Sequence, residues 1–223
     1  MPAPSSSRTS MLILHSYWLS IATYRVRIGL ALKQVPFEER THDLLRGDQL
    51  QPGYRATNPA GAVPALEGGT AKPLTQSLAI LEWLDETYPE PPLLPADAEG
   101  RARVRALFLL TAADTHPLVV PRVRKQLAAR FGATDAAIAD WAGHWFREGL
   151  AAYEASLDDG ATRCHGEHVT IADIALASHL IGAARFEVDL QPFPRVRSIG
   201  DALMEVAAIA MAHPDRRIDA PKT

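Results

Sequence analysis

Short apolar runs of strand length alternate with longer helical stretches over the first 89 positions, and beyond them the chain reads as helix. The run Met11–His15 predicts a first strand. From Ser20 to Lys33 two periodicities compete: Val26, Ile28, Leu30 and Leu32 alternate as in a strand, while the length and the Arg, Leu and Ala content favour a helix. Helix is the assignment taken. Val35–Thr41 predicts a second strand, which Pro36 confines to an edge or an end. Val63–Glu67 and Ala71–Thr75 flank Gly68-Gly69, a hairpin signal. Ser77–Tyr88 predicts a helix with Leu78, Leu81 and Leu84 at helical spacing and Ser77 as its N-cap.

The prolines of Pro89–Pro95 block helix and sheet alike and predict a stiff linker. After it, Arg101 to about Phe131 predicts one long helical region interrupted near Pro117 and Pro121, and Asp135–Leu157 predicts another. Thr170 and Asp173 have the spacing of a capping box, with Asp in place of the usual Glu or Gln, at the start of a helix running to Arg185. Ser198–Ala212 predicts a fourth. The expected organisation is a disordered leader over residues 1–10, a small α/β domain over 11–89, a linker over 90–97 and an all-helical domain with a tail over 98–223. The chain contains no internal repeat.

Composition narrows the class. Of 223 residues, 47% are hydrophobic and 22% charged, an ordinary globular balance. A net charge of −3 gives no general pull toward nucleic acid or an acidic membrane, so affinity for an anion has to be local. The one cysteine, Cys164, has no partner for an internal disulfide, which suits a reducing, cytoplasmic compartment. No apolar run reaches the roughly 18 residues of a membrane span. The first ten residues lack the apolar centre of a signal peptide.

The candidate chemistry sits at element starts. Ser20 lies where a strand ends and a helix begins, a place where free N–H groups and the positive end of the helix dipole collect. Val63-Pro64 opens one predicted strand, and Gln76-Ser77 opens the next helix. Three such starts at one end of a small α/β domain suggest a site for a small anionic ligand. Each residue also has a plainer reading: Ser20 and Ser77 as helix caps, Val63-Pro64 as an ordinary trans bond. His116, in Asp114-Thr-His-Pro117, reads equally as a core histidine or a donor to a ligand, and Arg185 as a counter-charge to a helix C-terminus. Cys164, His165 and His168 supply three metal-type ligands in a loop with no fourth nearby, so no metal is expected. Asp85-Glu86, Arg101, Arg103, Arg105 and Arg216-Arg217 read as solvated charge.

The ordered set of short motifs resembles a zeta-class glutathione transferase. It comprises Ser16-Tyr17-Trp18, Ser20 with Tyr24–Ile28, Asn58-Pro59, Val63–Leu66, Gln76-Ser77 with Ile80 and Trp83-Leu84, and Leu93–Pro95. It continues through Thr170 and Asp173, Arg185-Phe186 with Val188-Asp189, Pro192 with Pro194, and His213-Pro214. The resemblance implies an α/β thioredoxin-like N-terminal domain, an all-α C-terminal helical domain and a homodimer. It implies glutathione as cofactor and cis–trans isomerisation of a small enol diacid, maleylacetoacetate or maleylpyruvate, in aromatic catabolism. Ser20 would face the glutathione sulfur, and Val63, after a cis Pro64, would pair with the cysteinyl backbone. Gln76 and Ser77 would hold the γ-glutamyl end, and His116 would donate to glutathione or substrate. Arg185, with Arg122 as a second candidate, would lie near the substrate carboxylate. Two departures stand out. The family motif reads Arg-Ser-Ser-Cys, whereas this chain reads Leu19-Ser20-Ile21-Ala22. Loss of the cation at Leu19 leaves open a conjugating or dehalogenating transferase. A non-catalytic glutathione-binding or stress protein on the same fold is the alternative from another class.

Overall fold

In the computed structural model, which describes residues 11–217 and 219–221, four strands form one mixed sheet in the order β2-β1-β3-β4. β1 (Leu12–Ser16) pairs parallel with β2 (Phe37–Thr41) and antiparallel with β3 (Ala65–Glu67), so that Leu14 stands between Glu39 and Leu66. β3 pairs antiparallel with β4 (Leu74–Thr75). The helix α1 (Ile21–Leu32) connects β1 to β2, α2 (Pro52–Thr57) precedes β3, and α3 (Ser77–Thr87) follows β4. The expected leader lies outside the described residues.

The strand-like alternation in α1 has a physical cause. Residues two apart on a helix point to opposite sides, and residues four apart share a side. Val26 and Leu30 pack with Leu12, Leu14 and Leu66 of the sheet. Tyr24 and Ile28, with Leu32 partly buried beside them, pack into the core of the helices that follow. Both sides of α1 are therefore buried, and every residue from Thr23 to Leu30 is inaccessible. An amphipathic period cannot appear in a helix that has no solvent face.

The described residues beyond α3 are mostly helical: α4 (Ala98–Leu109), α5 (His116–Val119), α6 (Pro121–Phe131), α7 (Asp135–Ser156), α8 (Ile171–Arg185), α9 (Pro194–Met204) and α10 (Ala207–Ala212). α8 is buried almost throughout. It starts at a true capping box, with the Asp173 carboxylate accepting from the Thr170 N–H at 2.8 Å and from the Cys164 N–H at 2.8 Å. Glycine brings it against its neighbours: a Cβ on Gly182 would stand 2.3 Å from the Phe146 ring and 2.6 Å from Ile21 Cδ1.

Several sequence expectations are corrected in detail. The first strand starts at Leu12 rather than Met11, and the third at Ala65, because Pro64 has no N–H to give a ladder. Gly68-Gly69 opens a six-residue connection rather than a tight hairpin, and only Leu74-Thr75 pairs after it. The long helical region begins at Ala98, where Asp97 accepts from the Gly100 N–H at 2.7 Å. It loosens into a π-helical turn over Leu110–Thr115 ahead of Pro117, whose missing N–H and ring disrupt the α-helical ladder. The last predicted helix starts four residues earlier, at Pro194, and breaks between Met204 and Ala207. Asp85 is not a solvated charge: it binds the buried Lys33 ammonium at 2.7 Å and accepts from the Leu93 N–H at 2.7 Å, tying the proline-rich segment to α1.

His179, inaccessible on α8, turns Nε2 to the Phe146 carbonyl at 3.1 Å and leaves Nδ1 without a partner. Burial pulls its pKa down to about 4. Below the unfolded value near 6.5, the unfolded chain takes a proton that the folded chain refuses. Stability therefore falls as pH drops from about 6.5 to about 4. At pH 4.5 this residue accounts for roughly 2–3 kcal/mol of that loss. Urea denaturation of His179→Gln should show a pH 7.5-to-4.5 loss smaller by that amount. An unchanged loss would place the acid sensitivity at other histidines, such as His15 and His42, whose pKa values burial also lowers.

Candidate active site

A cavity of about 610 Å³ opens between the starts of α1 and α3 on one side and α4 to α6 and α8 on the other. Its size is that of a small-molecule site, about 300–1,000 Å³. Ser20, Val63, Pro64, Gln76 and Ser77 line the sheet side, and His116, Arg122 and Arg185 the helical side. The residues singled out from the sequence thus meet in one place.

Ser20 is the N-cap of α1. Its Oγ accepts from the Thr23 N–H at 3.2 Å, while its backbone carbonyl accepts from Tyr24. The cap uses an acceptor lone pair and leaves the hydroxyl proton to donate elsewhere. Capping and holding an anion are therefore compatible at this atom. The N–H groups of Ile21 and Ala22, both on the cavity wall, have no acceptor among the described residues.

The Val63-Pro64 bond is cis. The Ala62 carbonyl before it accepts from the Tyr54 hydroxyl at 2.6 Å and from Asn58 Nδ2 at 2.7 Å, which fixes the approach to the bond. The Val63 N–H and carbonyl find no partner among the described residues, so an extended ligand backbone has one donor and one acceptor to pair with.

At α3 the cap differs from expectation. Gln76, not Ser77, holds the N-cap position, with φ 68° and ψ 119°, and it makes no side-chain capping bond. A non-glycine residue in this region is strained, a cost found mostly at binding sites. The first backbone bond of the helix is Ile80 N–H to the Gln76 carbonyl at 3.0 Å. The N–H groups of Ser77, Leu78 and Ala79 are left toward the cavity beside the Ser77 hydroxyl. An uncapped helix start is a built anion site.

The cavity is cationic although the chain is not. Arg25, Arg122, Arg124 and Arg185 line it, and none of them forms an ion pair among the described residues. The lining acid Glu82 is already engaged by Arg105 at 2.5 Å. Arg25 is fully buried, donates Nε–H to Ser178 Oγ at 2.8 Å and lies 5.3 Å from the centre of the Phe108 ring. Burial pulls its pKa down to about 10, which still leaves it charged at neutral pH. Burial, then the charges of Arg25, His179 and Arg122, hold the His116 imidazole well below its usual range. His116 is thus neutral at pH 7, with one N–H to donate. Sequence reasoning missed Arg25 and Arg124: the first looks like one more helix-former, the second like surface charge, and only packing separates them from other arginines. Cys164 is buried, its thiol pKa pushed up by burial and Asp173, and it takes no place in the cavity.

Comparison with known proteins agrees with this geometry. Residues 14–92 match the family description "Glutathione S-transferase, N-terminal domain". Maleylpyruvate isomerase of a Ralstonia species is 43% identical over 209 residues, 92% of this chain and 98% of that protein. The holo structure of a maleyl pyruvate isomerase, described as a bacterial zeta-class glutathione S-transferase, superposes with a TM-score of 0.91 at 42% identity, over 94% of this chain and all of the other. Maleylacetoacetate isomerase from Methylobacterium extorquens, solved with malonate and glutathione bound, gives the same score, identity and coverage. The fold is that of a glutathione transferase. Within that class, the chain belongs to the zeta family of maleylpyruvate and maleylacetoacetate isomerases.

Because Ser77 makes no cap bond, its hydroxyl can be removed without unpicking α3. Ser77→Ala should weaken glutathione binding by about 1–2 kcal/mol and leave the thermal midpoint unchanged. Titration calorimetry together with a melting curve checks both. Unchanged affinity would remove this helix start from the glutathione cradle.

Proposed function

We propose that this protein is a glutathione-dependent cis–trans isomerase of a small enol diacid, maleylpyruvate or maleylacetoacetate, in aromatic catabolism. One observation carries the reading: a donor-bearing helix start, an uncapped helix start and unpaired guanidinium groups share one cavity. In this reading residues 11–89 hold glutathione and residues 98–223 hold the substrate. The cytoplasmic location and the homodimer implied by the resemblance go with it.

When bound, glutathione supplies a thiolate that adds reversibly to the cis double bond, which becomes single, rotates and re-forms as trans when the thiolate leaves, so the cofactor is regenerated. The chain's own residues make that possible. A thiol of pKa about 8.5 is mostly protonated at pH 7, and lowering it by about two units needs roughly 2.7 kcal/mol. The Ser20 hydroxyl donating to a charged sulfur gives about 1.5–3 kcal/mol, and the α1 start with its two free amides about 0.3–2. Together they bracket the need, at about 2–5 kcal/mol. Val63 pairs with the ligand backbone, and the free amides of α3, with Ser77 and Gln76, receive the γ-glutamyl carboxylate. Arg185 and Arg122 hold the substrate carboxylates, and the neutral His116 donates its one N–H to glutathione or substrate.

A second reading has its own support. Leu19, Ile21, Phe108, Val120 and Ile181 give the cavity an apolar wall, and the position of the motif arginine is Leu19. That wall suits a transferase that conjugates or dehalogenates neutral electrophiles. Counting turnovers separates the two. Incubated with maleylpyruvate and a small amount of glutathione, the isomerase converts many substrate molecules per glutathione, whereas one-for-one loss of glutathione would establish the transferase.

Ser20 provides a test inside the site. Ser20→Ala should lower turnover at least tenfold and raise the pKa of bound glutathione, read from thiolate absorbance. Its stability should fall by about 1 kcal/mol through the lost cap. Ser20→Asp restores a cap without a donor and should be stable yet inactive. Wild-type turnover in Ser20→Asp would show that the hydroxyl donor is not needed.

A further inference from the structure

The position of the family cation is Leu19, and across the cavity from it stands Arg124. The loop between β1 and α1 gives the cavity Tyr17, Leu19 and Ser20 and no positive charge. On the opposite wall Arg124 lies on the first turns of α6, its guanidinium carbon 5.6 Å from the centre of the Phe186 ring. Phe186 in turn stacks on Phe146 at 5.7 Å, so the guanidinium rests on a packed aromatic pair that belongs to the cavity wall. Its Nε is buried without a hydrogen-bond partner, and no acid pairs with it among the described residues. Arg185 immediately precedes Phe186, the ring on which Arg124 rests, and also faces the cavity; burial first, and then the charge of Arg185, pulls the Arg124 pKa down.

Two further features make the arrangement costly without an anion. Arg124 and Arg122 sit at the positive end of α6, whose first turn has no acidic residue and no side-chain cap. The ring contact orients Arg124 but leaves its forked donors free for a planar acceptor. We propose that Arg124 and Arg185 form a two-guanidinium clamp that receives one carboxylate of the diacid and so sets the preference for dicarboxylate over neutral substrates. The inference rests on the isomerase reading for its substrate, but the clamp itself is measured by binding, without turnover.

The test uses full-length protein loaded with glutathione and titrated with malonate. Arg124→Leu should raise the malonate Kd at least tenfold and the KM for maleylpyruvate in parallel. Conjugation of the neutral electrophile 1-chloro-2,4-dinitrobenzene should stay within twofold of wild type. Arg124→Lys, which keeps the charge but not the fork, should fall between the two. Arg130→Leu removes the same charge from the exposed end of α6, outside the cavity, and should change malonate binding less than twofold. Because both guanidiniums serve one carboxylate, Arg124→Leu with Arg185→Leu should cost less than the product of the single effects. The clamp is overturned if wild type binds no malonate, if Arg124→Leu loses no more affinity than Arg130→Leu, or if the double variant shows the full product. A wild type that binds malonate through Arg124 but does not isomerise maleylpyruvate leaves the clamp standing and removes only the isomerase reading.

Discussion

The loop that delivers Ser20 is fixed by α1, and α1 is tied into its surroundings by two buried guanidiniums. Arg25 and Arg27 are each about 1% exposed and point away from each other across the helix. Arg27 binds Glu39 of β2 at 2.8 Å and donates to the Tyr17 carbonyl at 2.8 Å and the Trp18 carbonyl at 3.2 Å. It therefore ties the loop that delivers Ser20 both to the helix that follows and to the edge strand. Burying a charge is costly unless it is paired and hydrogen-bonded, so this set of partners also fixes the geometry: a displaced loop would strand the charge. Arg25 reaches the other way, to Ser178 of α8 and toward Thr111 of the π-helical turn. It joins the sheet domain to the helices that form the opposite wall. Unlike Arg27 it meets only hydroxyls and a ring, so its charge stays uncompensated beside the cavity.

Much of this was legible in the sequence because the informative residues lie at element starts, where local rules are strong. Ser20 as the cap of α1, the capping box of Thr170 and Asp173, and the short strands follow from spacing and residue type. What was not legible is set by packing at a distance. The alternation in α1 competes with helical content until the second core is visible, because only the helices after residue 97 give Tyr24 and Ile28 a place to go. α2 and the short 3-10 turn at Asp48–Leu50 carry no apolar stripe and were not foreseen. The cap of α3 was misplaced by one residue: a serine before an apolar run reads as an N-cap, yet the chain puts Gln76 there at positive φ and leaves the amides bare. The rule failed where the local optimum was given up to a site, as consistency arguments anticipate.

The same trade runs through the cavity. Leaving α3 uncapped forgoes about 1 kcal/mol, and Gln76 stores about 1–3 kcal/mol of backbone strain. Cations at the start of α6 each cost about 0.3–1 kcal/mol. None of these is offset by an acid within the described residues. The bare α3 amides and the cations of α6 act with one sign: each is relieved by negative charge in the cavity. The chain carries a net charge of −3, yet among the described residues the lining holds no acid but the engaged Glu82, so the positive potential is a local property of the site rather than of the protein.

The distribution of that potential also bears on the order of events. The free amides of α1 and α3 and the Ser20 hydroxyl lie on the sheet side, whereas Arg124 and Arg185 lie on the helical side, with Phe108, Val120 and Ile181 among the apolar groups of the same cavity. A peptide-like anion with an extended backbone is matched by the sheet side alone, which offers backbone donors and acceptors. A compact diacid finds no such backbone pairing and depends on the guanidiniums. The apolar part of the lining lowers the local dielectric, which strengthens each charge interaction made in the cavity. The thiolate and the diacid are both negative, so bringing them together requires that each be held by its own cations and dipoles before they meet. An arginine at position 19, in the loop beside Ser20, would place a cation close to the sulfur. On the reading proposed above, Leu19 leaves the sulfur to neutral donors and the helix dipole, and shifts the burden of holding the diacid to the opposite wall. That reading gives a cleaner division of labour than a shared cation would: the sheet side would govern thiolate formation, and the helical side which electrophile reaches it.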